Sequence, residues 1–250
     1  MKRASVLLFA CSIGHGQIYD LLLKDGRVID PANHRDARLD VAVTGKRIVR
    51  VASGLPVTHA RVVVDVSEFM VTPGLIDVHT RSGSSLKPYN TLPYGVTTVG
   101  STCDGNAECA PEVGLRFGIA QPAIAQKHLP DTISSGTDIL AARGNIETSM
   151  SIFLNLGMTA EQIIERVTAN AARAIKRPEL GTLSEGSAAD IAVLEIQQGA
   201  FGLVDSAHTR LDATRRFRCL MTVRDGVIVW DSDGLSIADT SKAGPYTNFK

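Results

Sequence analysis

Val71-Thr72-Pro73-Gly74-Leu75-Ile76-Asp77-Val78-His79 is the stretch on which the fold turns. Pro73-Gly74 punctuates the chain, and from Leu75 a short apolar run begins that ends in polar residues. Such a run, bounded by turn residues, is the pattern of a strand buried on both faces. Gly95-Val96-Thr97-Thr98-Val99 repeats it. Further along, the spacing becomes helical. Thr159-Ala160-Glu161-Gln162 is a capping box, and Ile163, Val167, Asn170 and Ala174 follow on one face. Ser149 to Leu156 predicts a preceding helix, stopped at Gly157. Residues 111 to 128 predict a shorter helix. Ile133 predicts a third strand, with Asp131 and Asp138 on either side of it. Buried strands alternating with helices point to an α/β core, barrel-like or layered.

Outward from this middle, both ends of the chain are rich in β-branched residues. Leu21 to Ile29 reads as strand, Asp25-Gly26 turn, strand. Asp40 to Val51 repeats the logic with Gly45 in the turn, and Arg61 to Val66 is another β-branched run. Near the other end Ala189 to Leu194 reads as a strand, and Met221 to Trp230 as a hairpin turning at Asp225-Gly226. Matching hairpins at the two ends predict one small sheet structure assembled from both.

The 250 residues carry 26 basic and 26 acidic side chains, so the net charge is zero. A nucleic-acid or membrane-surface partner normally needs a basic excess, and nothing here points to one. Met1-Lys2-Arg3 is a short basic start, Ala4 to Ile13 is largely apolar, and Gly14-His15-Gly16 sets small residues before Gln17. That is the layout of a secretory signal peptide over residues 1–16, which predicts a secreted or periplasmic protein. A buried first strand or helix is the other reading. Leu8-Phe9-Ala10-Cys11 is a poor lipoprotein box because of Phe9. Without Cys11, Cys103, Cys109 and Cys219 remain, an odd number that argues against a disulfide framework. Cys103 and Cys109 either pair or stay free thiols.

The stretch at residues 71–79 resembles the first barrel strand of the amidohydrolase superfamily, where Pro-Gly, two hydrophobic residues and Asp-x-His-x-His set two histidines beside a metal. Gly95 to Val99 resembles the second strand. Thr168-Ala169-Asn170-Ala171-Ala172-Arg173 resembles the helix after the last strand, with Ala171 where a proline usually stands. Gly181 to Leu194 resembles the return into a small β-sandwich, and Tyr19 to Asp30 its opening hairpin. Pro130 to Ser134 and Phe153 to Met158 resemble the deacetylase-like branch, related to dihydroorotases and N-acyl-amino-acid hydrolases.

The resemblance implies an α/β fold: a TIM-type (β/α) barrel over residues 72–180, a composite β-sandwich from residues 17–71 and 181–236, and a tail over 237–250. It implies a divalent metal, zinc first among the candidates. The metal would activate water and polarise the amide carbonyl of a small N-acyl or cyclic amide substrate, and a last-strand Asp would move the proton. On this sequence the metal position falls to His79, and the catalytic and metal-binding Asp to Asp138.

The chain departs from the pattern in two ways. Arg81 stands where the second first-strand histidine belongs, and a guanidinium keeps its charge and repels a cation. The segment between the sandwich parts is also too short for an eight-stranded barrel, which takes about 250 residues. The expectation is therefore an incomplete barrel with low or no turnover. Its strand edges must be covered or paired, and a homo-oligomer is one way to do so. The alternative to an enzyme is an inactive homologue that binds or oligomerises.

Overall fold

The computed structural model describes residues 19–80, 91–101, 115–135 and 145–237. The signal segment 1–16, Arg81, Cys103, Cys109, Asp138 and the tail beyond residue 237 lie outside them.

The N-terminal strands are β1 (Tyr19–Asp30), β2 (Arg35–Thr44), β3 (Arg47–Ala52), β4 (Ala60–Asp65) and β5 (Met70–Pro73). The C-terminal strands are β8 (Ile191–Val204), β9 (Arg210–Arg224) and β10 (Val227–Asp231). They form one eight-stranded sheet in the order β10-β9-β8-β5-β1-β2-β3, with β4 also pairing β1. The seam between the two chain ends is β5 against β8, antiparallel from Met70 opposite Leu194 to Pro73 opposite Ile191. A proline fits there only because it closes the strand.

The sheet curls until its two hairpin turns touch. A Cβ on Gly226 would lie 1.9 Å from the Gly45 carbonyl oxygen, and Lys46 Nζ reaches Asp225 at 3.2 Å. The outer edge of β3 is closed by the following contacts: Ile48 N–H donates to Ser187 O, and Gly186 N–H to Ile48 O. Leu21, Leu23, Val41, Val43, Val193 and Val223 are sealed inside the curl. The sandwich expected from both chain ends is thus present. Its driving force is apolar burial on the alternating inward positions of each strand.

The hairpins at Gly45 and Asp225-Gly226 form as read. The one at Asp25-Gly26 does not. β1 runs straight through, with a bulge between Leu23 and Gly26 in its pairing with β2. The reason is a buried carboxylate. Asp40 accepts the Asp25 backbone N–H (2.8 Å), the Leu55 N–H (2.7 Å) and Lys24 Nζ (2.9 Å). Those bonds capture the left-handed Asp25 (φ 60°) as a bulge instead of a reversal.

The remaining elements are β6 (Leu75–Thr80), β7 (Val96–Ser101), α1 (Phe117–Ala125), α2 (Ile146–Asn155), α3 (Ala160–Val167) and α4 (Ala169–Ala174). β6 and β7 pair in parallel. Among the described residues they are the only strands of the barrel part, which makes the barrel incomplete as expected. Leu75 and Val96 face a core completed by Met150, Leu154, Ile163 and Phe217. The capping box forms in both directions: Gln162 N–H donates to Thr159 Oγ1, and Thr159 N–H to Gln162 Oε1.

Two expectations fail in this part. Ile133 is buried but not in a strand; its N–H reaches Arg166 O at 3.4 Å. The helical face from Ile163 to Ala174 is also not continuous. The helix breaks at Thr168 (φ −128°, ψ −93°), so Ala171 and Ala172 are buried while Ala174 is exposed. Gly181 packs so closely on the Thr168 carbonyl that a Cβ there would come within 2.7 Å of it. Tertiary contact at this joint overrides local periodicity.

Candidate functional site

Gly74 explains the Pro-Gly of the decisive stretch. A Cβ at this position would sit 2.2 Å from Thr97 Oγ1, so only glycine lets β6 pass the side chains of β7. Gly74 N–H donates to Asp190 O (2.8 Å) and Leu75 N–H to Gly95 O (2.9 Å), which fixes the start of the parallel pair. Beside it lies a crevice of about 10 Å³ lined by Gly74, Thr97, Gly181 and Asp190. It has room for about one water. Burial raises the Asp190 carboxyl above the usual range, against the hydrogen bond from Asp225 N–H. This crevice is at the N-terminal end of β6, whereas barrel enzymes work at the C-terminal ends of their strands.

Toward that other end stands Asp77, which is 3% exposed. Its Oδ1 accepts the Ser135 backbone N–H at 3.1 Å. The segment 130–135 is held at two further points. Arg166 Nε donates to Pro130 O (2.7 Å) and Asn170 Nδ2 to Asp131 O (2.9 Å). An irregular segment is therefore fixed to β6, α3 and α4 by side chains rather than by a strand ladder, which answers its backbone hydrogen-bond demand. α4 lies directly against β6: Ala171 and Ala172 pack on Ile76, and their small size permits the close approach. Thr168 is buried at the break, where its hydroxyl donates to Ile164 O at 2.6 Å.

Of the two nominated residues, His79 is the fifth residue of β6, toward its C-terminal end. The His79 side chain and Asp138 both lie outside the described residues. What the structure supplies is the connection between their neighbourhoods. Asp77 precedes His79 by two positions, Ser135 precedes Asp138 by three, and Asp77 and Ser135 are hydrogen-bonded. Asp77 thus holds the segment 130–135 against β6.

Among the described residues no three His, Cys, Asp or Glu side chains gather as a metal would require. A hydrolytic zinc site usually takes three protein ligands and an open position, and the described donors do not make one. Cys219 is no substitute. It is buried, its thiol is pushed up to about 12 by burial, and it contacts Met221 O and Thr222 Oγ1.

Glu147 went unnoticed in the sequence. It sits in the first turn of α2, behind the N-cap Asn145, where an acidic residue ordinarily just complements the helix dipole. In the structure its Oε1 accepts the Cys219 backbone N–H at 2.6 Å, and burial pushes its pKa up to about 7.

A family model described as the amidohydrolase family matches residues 152–230. A dihydroorotase of Streptococcus pyogenes is 46% identical over 155 residues, covering 56% of this chain and 36% of that protein. Over these stretches the chain is similar to the amidohydrolase family. It spans about a third of the length of the curated relatives it matches over that stretch. A second relative, a dihydroorotase of Lactococcus lactis, is 44% identical over 59 residues, which cover 24% of this chain and 14% of that protein. Solved structures agree on the fold. An adenine deaminase superposes with a TM-score of 0.71 at 16% identity, covering 85% of this chain and 100% of that one. A dihydroorotase gives 0.67 at 15% identity, covering 85% and 99%. At such identities the two superpositions show a shared fold.

Proposed function

We propose that this chain is a hydrolase of the C–N bond in a small cyclic amide, the reading favoured by its likeness to dihydroorotases. An N-acyl amine, the substrate class of the deacetylase-like branch, is the finer alternative for the same chemistry. The observation that carries the proposal is the Asp77–Ser135 hydrogen bond. It ties together, in the middle of β6 and two residues before His79, the two segments that in this superfamily bring reacting groups to one place. The members of the superfamily typically use divalent metals. Here the described donors do not complete a ligand set, so His79 and Asp138 remain nominations, zinc remains the first metal to try, and no chemical step is routed through it.

Arg81 favours a second reading: a homologue without turnover that binds small amides or associates with itself. One set of measurements separates the two. The purified chain is equilibrated with zinc or manganese, freed of excess, and assayed for retained metal and for hydrolysis of dihydroorotate and N-acetylated amino acids. Retained metal with turnover abolished by His79→Ala supports the enzyme. Neither metal nor turnover supports the second reading, and sedimentation analysis then tests for self-association. The proposal includes export to a secreted or periplasmic location, supported by the basic start and apolar segment before Gln17. N-terminal sequencing of the exported chain tests it.

A further inference from the structure

β10 covers the outer edge of β9 only from Met221 to Arg224. Earlier in β9 the same edge is met by a helix. Cys219 N–H donates to Glu147 Oε1 (2.6 Å), and Phe217 N–H to Ser151 Oγ (2.9 Å). Asn155 Nδ2 donates to Arg215 O (2.7 Å), while its Oδ1 accepts Thr214 N–H (3.1 Å). Glu147, Ser151 and Asn155 are one turn apart on α2; Cys219, Phe217 and Arg215 are alternate residues of β9. Four helical residues rise about 6 Å, and two strand residues about 6.8 Å. The repeats match closely enough for three successive contacts. α2 therefore does the work of an antiparallel strand, through side chains, on an edge that would otherwise be open to pairing.

Two of the three contacts use neutral groups. The third uses a carboxyl in a confined position. Arg216 and Arg218 of β9 face it and favour its charge. Arg218 is shared with Glu195 of β8 (3.2 Å) and with Asp233 beyond β10. The Cys219 thiol beside it stays protonated, and the neighbouring α2 groups Asn145 and Thr148 are neutral and hydrogen-bonded to each other.

We propose that α2 stands in for a strand along the β9 edge, and that Glu147 is the pin that loosens its first turn as pH rises toward neutrality. The direction follows from linkage. With the helix docked, burial holds the Glu147 carboxyl at about 7, against an ordinary 4.5 when it is released to water. The docked form keeps its proton longer, so docking is strongest below about 4.5, weakens between 4.5 and 7, and levels off above. Opening of the first turn frees the Cys219 N–H at that edge, while Ser151 and Asn155 keep the rest of it covered.

Hydrogen exchange of the β9 amides in the full chain, corrected for intrinsic rates, tests this. The opening constant at Cys219 is expected to rise about tenfold between pH 6 and pH 8. The amides of Val41 and Val43 serve as an unaffected reference. In Glu147→Gln, which keeps the acceptor, the rise should vanish. In Ser151→Ala, Phe217 should exchange faster with the pH slope at Cys219 unchanged. An equal slope in Glu147→Gln, or a flat wild type, overturns the proposal. Should that variant fail to fold, the carbon-13 titration of the Glu147 carboxyl decides. A midpoint near 7 supports it, and one below 5 sinks it.

Discussion

The composite sheet closes on itself, whereas β6 and β7 stand as two parallel strands leaning on helices and on the sheet for cover. In the sheet, most strands find a partner in a hairpin or at the β5–β8 seam, β4 and β5 line up parallel to β1, and β9 borrows a helix where β10 stops. The parallel pair has no hairpin to build it. It depends on Gly74 clearing Thr97, on Ala171 and Ala172 fitting under Ile76, and on Asp77 catching Ser135. The difference is one of contact range. Antiparallel strands can be joined by a tight turn, while parallel strands need a long crossover and so depend on distant parts of the chain. The part of the fold nearest the nominated site is thus the part built most fully from contacts distant in sequence.

Substitutions can sharpen or break this contrast. The largest effect is expected at Asp40, whose carboxylate is fully buried and holds Lys24, Asp25 and Leu55. Asp40→Ala should cost about 3 kcal/mol in urea unfolding, because it leaves several donors unpaired. A loss below about 1 kcal/mol would mean the bulge does not organise β1. Gly74→Ala should cost about 2 kcal/mol through overpacking against Thr97. Thr97→Ala in the same chain should recover much of it; no recovery would place the strain elsewhere. Asp77→Ala should cost about 1–2 kcal/mol and speed exchange at Ser135 without touching the sheet amides. If sheet and segment 130–135 loosen together, the two regions are one cooperative unit and the contrast drawn above is wrong. Smallest is Thr159→Ala, which removes half of the capping box and should cost about 1 kcal/mol, seen as faster exchange in the first turn of α3.

Much of the architecture was legible because its signals are local. The turns at Gly45 and Asp225-Gly226 require positive φ and carry residues that adopt it. The capping box at Thr159 and the stop at Gly157 are likewise written within a few residues of the structure they cause. Asp25-Gly26 carries the same turn signal and misleads, since what decides it is Asp40, fifteen residues away. Ile133 reads as strand because burial is visible in its type, but the backbone partner it finds is a helix carbonyl. For the candidate site, the sequence yields the motif around His79 and the substitution at Arg81. It does not yield the partner of Asp77.

The sequence alone carried the resemblance to the amidohydrolases, the β-rich ends, the short middle and the absent second histidine, since each is a matter of residue type at given positions. Only the tertiary structure decided that Asp77 pins Ser135, that Gly181 packs on the Thr168 carbonyl where the helix breaks, and that Glu147 covers the edge of β9. Each of these joins residues from 13 to 72 positions apart. Hydrogen bonds and steric contacts act through space, and no local pattern records which distant group will arrive.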